Sequence, residues 1–225
     1  MNNQHIISIR GLHKVYRMGE VDVPALRGVD LEITPGEFVA VTGPSGSGKS
    51  TMFHVLGGLT PATSGTVLVH GKNLAEMSET ERTNMRKTEI GFVFQKYNLL
   101  PTLTARENIA IAQDIAGKPL EMDEGFQKVL ELLAIAHRLD HKPRAMSGGE
   151  QQRIAIARAI VNHPSILLAD EPTGNLDTKS SDNVLEIMRN LNKRMGQTIV
   201  MITHNPEAAT IADRIVKMRD GQIVN

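Results

Sequence analysis

Residues Gly43-Pro44-Ser45-Gly46-Ser47-Gly48-Lys49-Ser50-Thr51 fit the pattern G-x-x-x-x-G-K-[ST], and this restricts the fold around them. The apolar run Phe38-Val39-Ala40-Val41 precedes them and reads as a buried strand. Met52, Phe53, Val55, Leu56 and Leu59 follow at roughly helical spacing. A strand must therefore run into the loop and a helix must leave it. Glycines let the backbone curl until several N–H groups face one anion. The helix that follows adds the positive end of its dipole. The whole stretch from Gly43 to Thr51 is thus a candidate phosphate cradle. The motif predicts that Lys49 reaches the β- and γ-phosphates of a nucleotide and that the Ser50 hydroxyl ligates Mg²⁺.

The flanking chain predicts an α/β fold with two kinds of sheet. Ile6-Ile7-Ser8-Ile9, Leu31-Glu32-Ile33 and Thr66-Val67-Leu68-Val69 read as short strands bounded by turns, a small antiparallel sheet beside a main parallel one. Tyr16 lies among these strands, either as a stacking platform for adenine or as a half-buried sheet tyrosine. Ile90-Gly91-Phe92-Val93-Phe94 is a further strand ending at Gln95, which is either a metal or water ligand or a plain surface residue. The loop Tyr97-Asn98-Leu99-Leu100-Pro101 is apolar and is either a docking surface or packed under a helix.

From about Thr104 to Val161 the pattern is helical, with Phe126, Val129, Leu130 and Leu133 on one face. This is expected to be a helical subdomain, residues 96–161, inserted into a single domain spanning residues 1–225. Ser147 and Glu150 form a capping box. Gly148-Gly149 is poor helix chemistry, and suits a backbone that approaches something closely, a second phosphate being the natural candidate.

Ile166-Leu167-Leu168-Ala169 reads as a buried strand with Asp170 and Glu171 at its carboxyl end, where open α/β sheets place ligands. Neighbouring strand residues point to opposite faces, which separates the two carboxylates. Asp170 is the candidate for the Mg²⁺ shell and Glu171 for the attacking water; a solvated acidic strand end is the alternative. Thr198 to Thr203 is the next core strand, and His204 ends it on the same edge. Val184, Ile187, Met188, Leu191 and Met195 trace a helix closed by Gly196. Asp220-Gly221 predicts a terminal hairpin.

Composition narrows the function. Lys+Arg and Asp+Glu both number 25, so the basic excess of a nucleic-acid binder is missing, and no nucleic-acid partner is expected. Aromatic residues make up 3% with no Trp, leaving few base-stacking platforms. The absence of Cys excludes disulfides and thiolate metal sites and fits a reducing compartment. The stretch Met1 to His5 lacks a basic n-region, so no signal peptide is expected. No apolar run approaches the roughly 18 residues that span a bilayer. A membrane role would have to come through a partner.

Together these segments resemble the nucleotide-binding subunit of an ABC transporter. The resemblance covers essentially the whole chain: the loop Gly43 to Thr51, Gln95, Ser147-Gly148-Gly149, Ile166 to Glu171, Asp177 and His204 stand in the family's order and spacing. It implies a P-loop NTPase fold with a RecA-like core, an N-terminal antiparallel β-subdomain and an inserted α-helical subdomain. It further implies ATP and Mg²⁺ as ligands, with Tyr16 on the adenine and Gln95 sensing γ-phosphate and metal. Lys49, Glu171 and His204 would carry catalysis, and Ser50, Gln95 and Asp170 would hold the metal. Ser147, Gly148, Gly149, Glu150 and Asp177 would complete the nucleotide site in a head-to-tail homodimer.

The runs Gly91 to Gln95, Tyr97 to Pro101, Ser147 to Arg153 and Asp170 to Asp177 are similar to the lipoprotein-release and macrolide-exporter type. This type implies a separate integral membrane permease with four transmembrane helices, docking near Tyr97 to Pro101. The subunit would then sit peripherally on the cytoplasmic face of the inner membrane. Met146 stands where Leu is usual, Glu150 where Gln is usual and Asn205 where Asp is usual, and none of these removes a catalytic group. A division-type regulatory complex, which transports nothing, uses the same motor and is the alternative reading. A soluble ABC ATPase is a more distant one, because the interval from Lys49 to Ser147 has no room for a long coiled coil.

Overall fold

Alternating apolar residues at Ile7 and Ile9 and at Leu31 and Ile33 bury one face of an antiparallel ribbon, β1 (Ile7–Met18) with β2 (Val21–Ile33). The computed structural model, which describes residues 5–119 and 123–224, places this ribbon in a four-stranded sheet. Its order is β2-β1-β4-β5, with β4 at Ser64–Val69 and β5 at Lys72–Asn73. Met1 to Gln4 lie outside the described residues, as does 120–122 within the expected helical subdomain.

In the second sheet, β3 (Phe38–Thr42), β6 (Ile90–Phe94), β7 (Ile166–Asp170), β8 (Thr198–Ile202), β9 (Arg214–Arg219) and β10 (Gln222–Val224) lie in the order β10-β9-β3-β8-β7-β6. β3, β6, β7 and β8 carry apolar runs, while β9 alternates charged and buried residues toward its edge. Five strands are parallel and β10 is antiparallel at the edge, closing the hairpin expected at Asp220-Gly221. Strands buried on both faces need apolar residues at every position. Phe38 and Ala40 face one core, and Val39 and Val41 face the other.

α1 (Lys49–Leu56) packs Met52, Phe53, Val55 and Leu56 between the two sheets. It stops before Gly57-Gly58, so Leu59 falls outside the helix and is exposed, unlike the periodic reading. On the other face lie α3 (Ala105–Ile115), α4 (Glu124–Leu132), α5 (Gly148–Ile160) and α6 (Thr178–Met195). The expected helical stretch from Thr104 to Val161 is thus several pieces. Two 3-10 turns, Ala136–Arg138 and Pro143–Ala145, separate α4 from α5. Each of the three helices in it starts at a side-chain cap, Thr104, Asp123 or Ser147. On α6, Val184, Ile187, Met188 and Leu191 are buried and Gly196 caps the end in the left-handed region, while Met195 emerges into solvent.

α2 (Glu79–Thr88) has no apolar stripe, because Met85 is its one buried residue, and only its Ser78–Glu81 capping box marks it in the sequence. A short α7 (Pro206–Ala209) follows β8. No helix among the described residues is long and apolar enough to cross a membrane.

The parallel order has one consequence for chemistry. The carboxyl ends of β3, β8, β7 and β6 lie on one edge of the sheet. They deliver the Gly43 to Thr51 loop, His204, Asp170-Glu171 and Gln95 to that edge.

Candidate functional site

The loop after β3 is held open from behind by its own glycines. A side chain at Gly43 would put its Cβ 2.2 Å from the Met218 carbonyl oxygen, and one at Gly48 2.6 Å from that of Ala25. Gly48 has φ 99°, the left-handed conformation that turns the chain into α1. The β9-β10 hairpin braces the loop through a Gly221 N–H donated to the Ser47 carbonyl at 3.1 Å. Lys49 is 8% exposed, and its Nζ donates to the Gly43 and Pro44 carbonyls at 2.8 and 2.9 Å. The ammonium therefore lies across the loop mouth, bonded to neutral carbonyls that an anionic phosphate would outcompete. Ser45, Gly46, Ser47, Gly48, Lys49, Ser50 and Thr51 line a cleft of about 300 Å³, with Ala25, Glu171, Ile202 and His204 on its other walls.

Asp170 and Glu171 differ in backbone conformation, not only in strand position. β7 ends at Asp170, and Glu171 turns into the left-handed region at φ 49°. Its N–H donates to the Ile202 carbonyl at 2.9 Å, which pins this strained residue to β8. Burial and then the neighbouring Glu171 charge push the Asp170 carboxyl above the usual range, while His54 and Lys49 oppose this. Glu171 Oε1 meets His204 Nδ1 at 2.8 Å. A carboxylate only accepts, so His204 donates from Nδ1 and turns Nε2 outward.

Gln95 stands at the end of β6, outside the walls of that cleft. Its side-chain nitrogen donates to Asn175 Oδ1 at 3.2 Å, and Asn175 Nδ2 donates to the Gln95 carbonyl at 3.0 Å. Tyr97 and Asn98 both adopt left-handed backbone, φ 58° and 51°. Arg158 on α5 donates to their two carbonyls at 2.9 and 2.6 Å. Beyond this corner Leu99 packs on the core, while Leu100 and Pro101 are exposed, so the apolar loop is part core and part surface.

Ser147 to Glu150 lie outside the loop cleft. Ser147 caps α5, accepting from the Glu150 N–H at 3.3 Å, and Glu150 returns to the Ser147 N–H at 2.8 Å. A Cβ at Gly148 would fall 2.8 Å from Tyr97 Oη, and one at Gly149 2.9 Å from Ser180 Oγ. The double glycine thus has a packing reason within one chain. Asp177 caps α6 by accepting from the Ser180 N–H at 2.8 Å, which holds its carboxyl below the usual range. Tyr16 is half-buried on β1, with Lys14 Nζ 4.9 Å from its ring centre. One copy therefore assembles Lys49, Ser50, Glu171 and His204 in one cleft. Tyr16, Asp177 and the stretch Ser147 to Glu150 are not among its walls.

The sequence gives no sign of the supporting roles of Ala25, Met218 and Gly221 behind the loop, His54 beside Asp170, Asn175 beside Gln95, and Arg158 beside Tyr97 and Asn98. Each is far in sequence from the residue it supports, so no local pattern marks it. The oxygen donors of Ser50, Gln95 and Asp170 suit a hard divalent cation. The raised Asp170 carboxyl fits one too, because a cation would relieve the cost of its buried charge.

Comparison with known proteins places this geometry. The family model for the ABC transporter matches residues 26–174. An ABC transporter ATP-binding protein of Thermotoga maritima is 48% identical over 97% of this chain and 93% of its own length. The lipoprotein-releasing system ATP-binding protein LolD 2 of Caulobacter vibrioides is 46% identical over 97% of this chain and 96% of its own. The macrolide export ATP-binding/permease protein MacB of Syntrophobacter fumaroxidans is 44% identical over 97% of this chain, which spans 31% of that longer protein. Among solved structures, the ATP-binding cassette MJ0796, dimeric and bound to ADP and Pi after hydrolysis, superposes with a TM-score of 0.87. It is 38% identical and 97% of each chain is covered. The chain belongs to the ABC transporter family, as its ATP-binding and ATP-hydrolysing cassette.

Proposed function

We propose that this cassette powers a membrane complex of the lipoprotein-release or macrolide-export type by opening and closing around ATP. The observation that carries this reading is the cleft in which Lys49, Ser50, Glu171 and His204 meet on one sheet edge. Two copies pair head to tail. Lys49, Ser50 and the loop amides of one copy hold the triphosphate, and Ser147, Gly148, Gly149 and Glu150 of the other cap it. Tyr16 stacks on the adenine. Asp177 holds the start of α6 beside that cap. The γ-phosphate thereby joins the copies, and the closed dimer is the ligand-favoured state.

Glu171 takes a proton from water as its oxygen attacks the γ-phosphorus in line, and the bond to the β–γ bridging oxygen breaks. Lys49 stabilises the charge spreading onto the phosphoryl oxygens. His204, held by Glu171 through Nδ1, presents Nε2 toward the γ-phosphate. Ser50, Gln95 and Asp170 would hold Mg²⁺, which neutralises phosphate charge when bound. Loss of the γ-phosphate separates the copies. The 96–161 region forms the arm that carries this motion, and the exposed Leu100-Pro101 end of its first loop grips a permease with four transmembrane helices. The subunit is then peripheral, on the cytoplasmic face of the membrane.

Glu171→Gln is expected to retain ATP while turnover falls by about 10²-fold or more. Lys49→Ala is expected to lose binding. Rapid turnover by Glu171→Gln would remove the glutamate from this role. The same variant, tagged and captured with ATP and Mg²⁺ from detergent-solubilised membranes, is expected to bring down a four-helix membrane protein. A soluble partner in its place would contradict the transporter reading.

A further inference from the structure

We infer that Asn175 is a positioning residue that fixes which end of the Gln95 side-chain amide faces the nucleotide. This rests on the reading of Gln95 as a metal ligand proposed above. Asn175 Nδ2 donates to the Gln95 backbone carbonyl at 3.0 Å. A backbone carbonyl accepts and never donates, so Asn175 must present its nitrogen there. Its Oδ1 is thereby turned to the Gln95 side chain, 3.2 Å from Nε2. That oxygen requires a donor, which commits the Gln95 nitrogen. Gln95 Oε1 is what remains, and among the described residues no hydrogen bond takes it.

The oxygen and nitrogen of an amide are otherwise interchangeable in shape. Here the carbonyl anchor removes the ambiguity. Gly174 packs against the same nitrogen, because a Cβ there would lie 2.6 Å from Gln95 Nε2. The Gly174 N–H donates to the Glu171 backbone carbonyl at 3.0 Å, so the segment that orients Gln95 is tied to the main chain of the residue proposed to act on the attacking water. A hard divalent cation binds amide oxygen, and a flipped Gln95 would offer it N–H groups. Asn175 thus acts on the metal through Gln95, as outer partners of metal ligands do.

The test titrates Mg²⁺ against equilibrium binding of a fluorescent ATP analogue, in the Glu171→Gln background so that turnover does not intervene. With Asn175→Ala, the Mg²⁺ concentration for half-maximal enhancement of binding should rise about tenfold, the low end for an outer partner. Binding in EDTA should be unchanged. Gly174→Ala should shift the Mg²⁺ dependence in the same direction by crowding Nε2. Gln95→Ala should shift it at least as far, and Gln95→Ala with Asn175→Ala no further than Gln95→Ala alone. An equal loss with and without Mg²⁺ in Asn175→Ala would make the contact a structural tie only and overturn the inference. A shift in Gln95→Ala with none in Asn175→Ala or Gly174→Ala would overturn it while leaving Gln95 a ligand. No shift in Gln95→Ala would overturn both.

Discussion

Glu150 shows how one side chain can hold an element in place by charge. It accepts from the Ser147 N–H at 2.8 Å and from Arg138 Nε at 2.7 Å. These contacts, the Ser147 N–H first, hold its carboxyl below the usual range against the effect of burial. A carboxylate lowered in the folded state stabilises fully above its unfolded pKa, about 4.3, and that stability is lost as pH falls through the lowered value. Glu150→Gln keeps the shape of the cap and removes the charge. It is expected to cost about 1 kcal/mol at pH 7, which lowers the melting temperature by about 2–4 °C for a chain of this size. The difference from the parent should vanish in acid, below the lowered value. A difference of the same size at both pH values in thermal unfolding would contradict this account.

Residues of this kind separate what a sequence exposes from what it hides. The loop Gly43 to Thr51 is legible because its chemistry is local: contiguous residues build the curl and the charge. The Ser147–Glu150 cap is legible for the same reason. Asn175 and Gln95 lie far apart in sequence, and neither residue type signals the other. Gly148 is half legible. Its helix-breaking character is visible at once, but the nearness of Tyr97 Oη belongs to tertiary packing.

At the scale of elements, α5 matters most, because it joins the cap at its start to the corner after β6 along its length. Tyr97 and Asn98 sit in a backbone region that costs L-residues about 1–2 kcal/mol each. The Arg158 guanidinium offsets that cost by donating to both carbonyls. Arg158→Ala is expected to destabilise this corner by about 2 kcal/mol, the scale of hydrogen bonds from a charged donor. The effect should be local. Hydrogen exchange followed by mass spectrometry should quicken in the peptide covering residues 96–101 and stay constant in β3 and β8. Unchanged exchange at the corner would remove Arg158 from this role. The strands β3, β6, β7 and β8 were legible because parallel strands buried on both faces read as unbroken apolar runs. The helical stretch was less so. Caps and two 3-10 turns divide it, and periodicity alone does not resolve short pieces. α2 lacks an apolar stripe altogether.

At the scale of the molecule, one copy carries half of the expected site. The loop cleft gathers Lys49, Ser50, Glu171 and His204, while Ser147 to Glu150 contribute none of its walls. That division fits the proposed head-to-tail sandwich, in which each cap would serve another copy's ATP. The resemblance in sequence implied the sandwich, and the placement of Ser147 to Glu150 outside the loop cleft is compatible with the pairing proposed above. The most direct test is the mass of the Glu171→Gln variant by sedimentation, with Mg²⁺ and with or without ATP. The account predicts a monomer without ATP and a dimer carrying two ATP molecules with it, and it predicts that adding Lys49→Ala abolishes the dimer. A protein that stays monomeric while saturated with ATP would contradict the central claim.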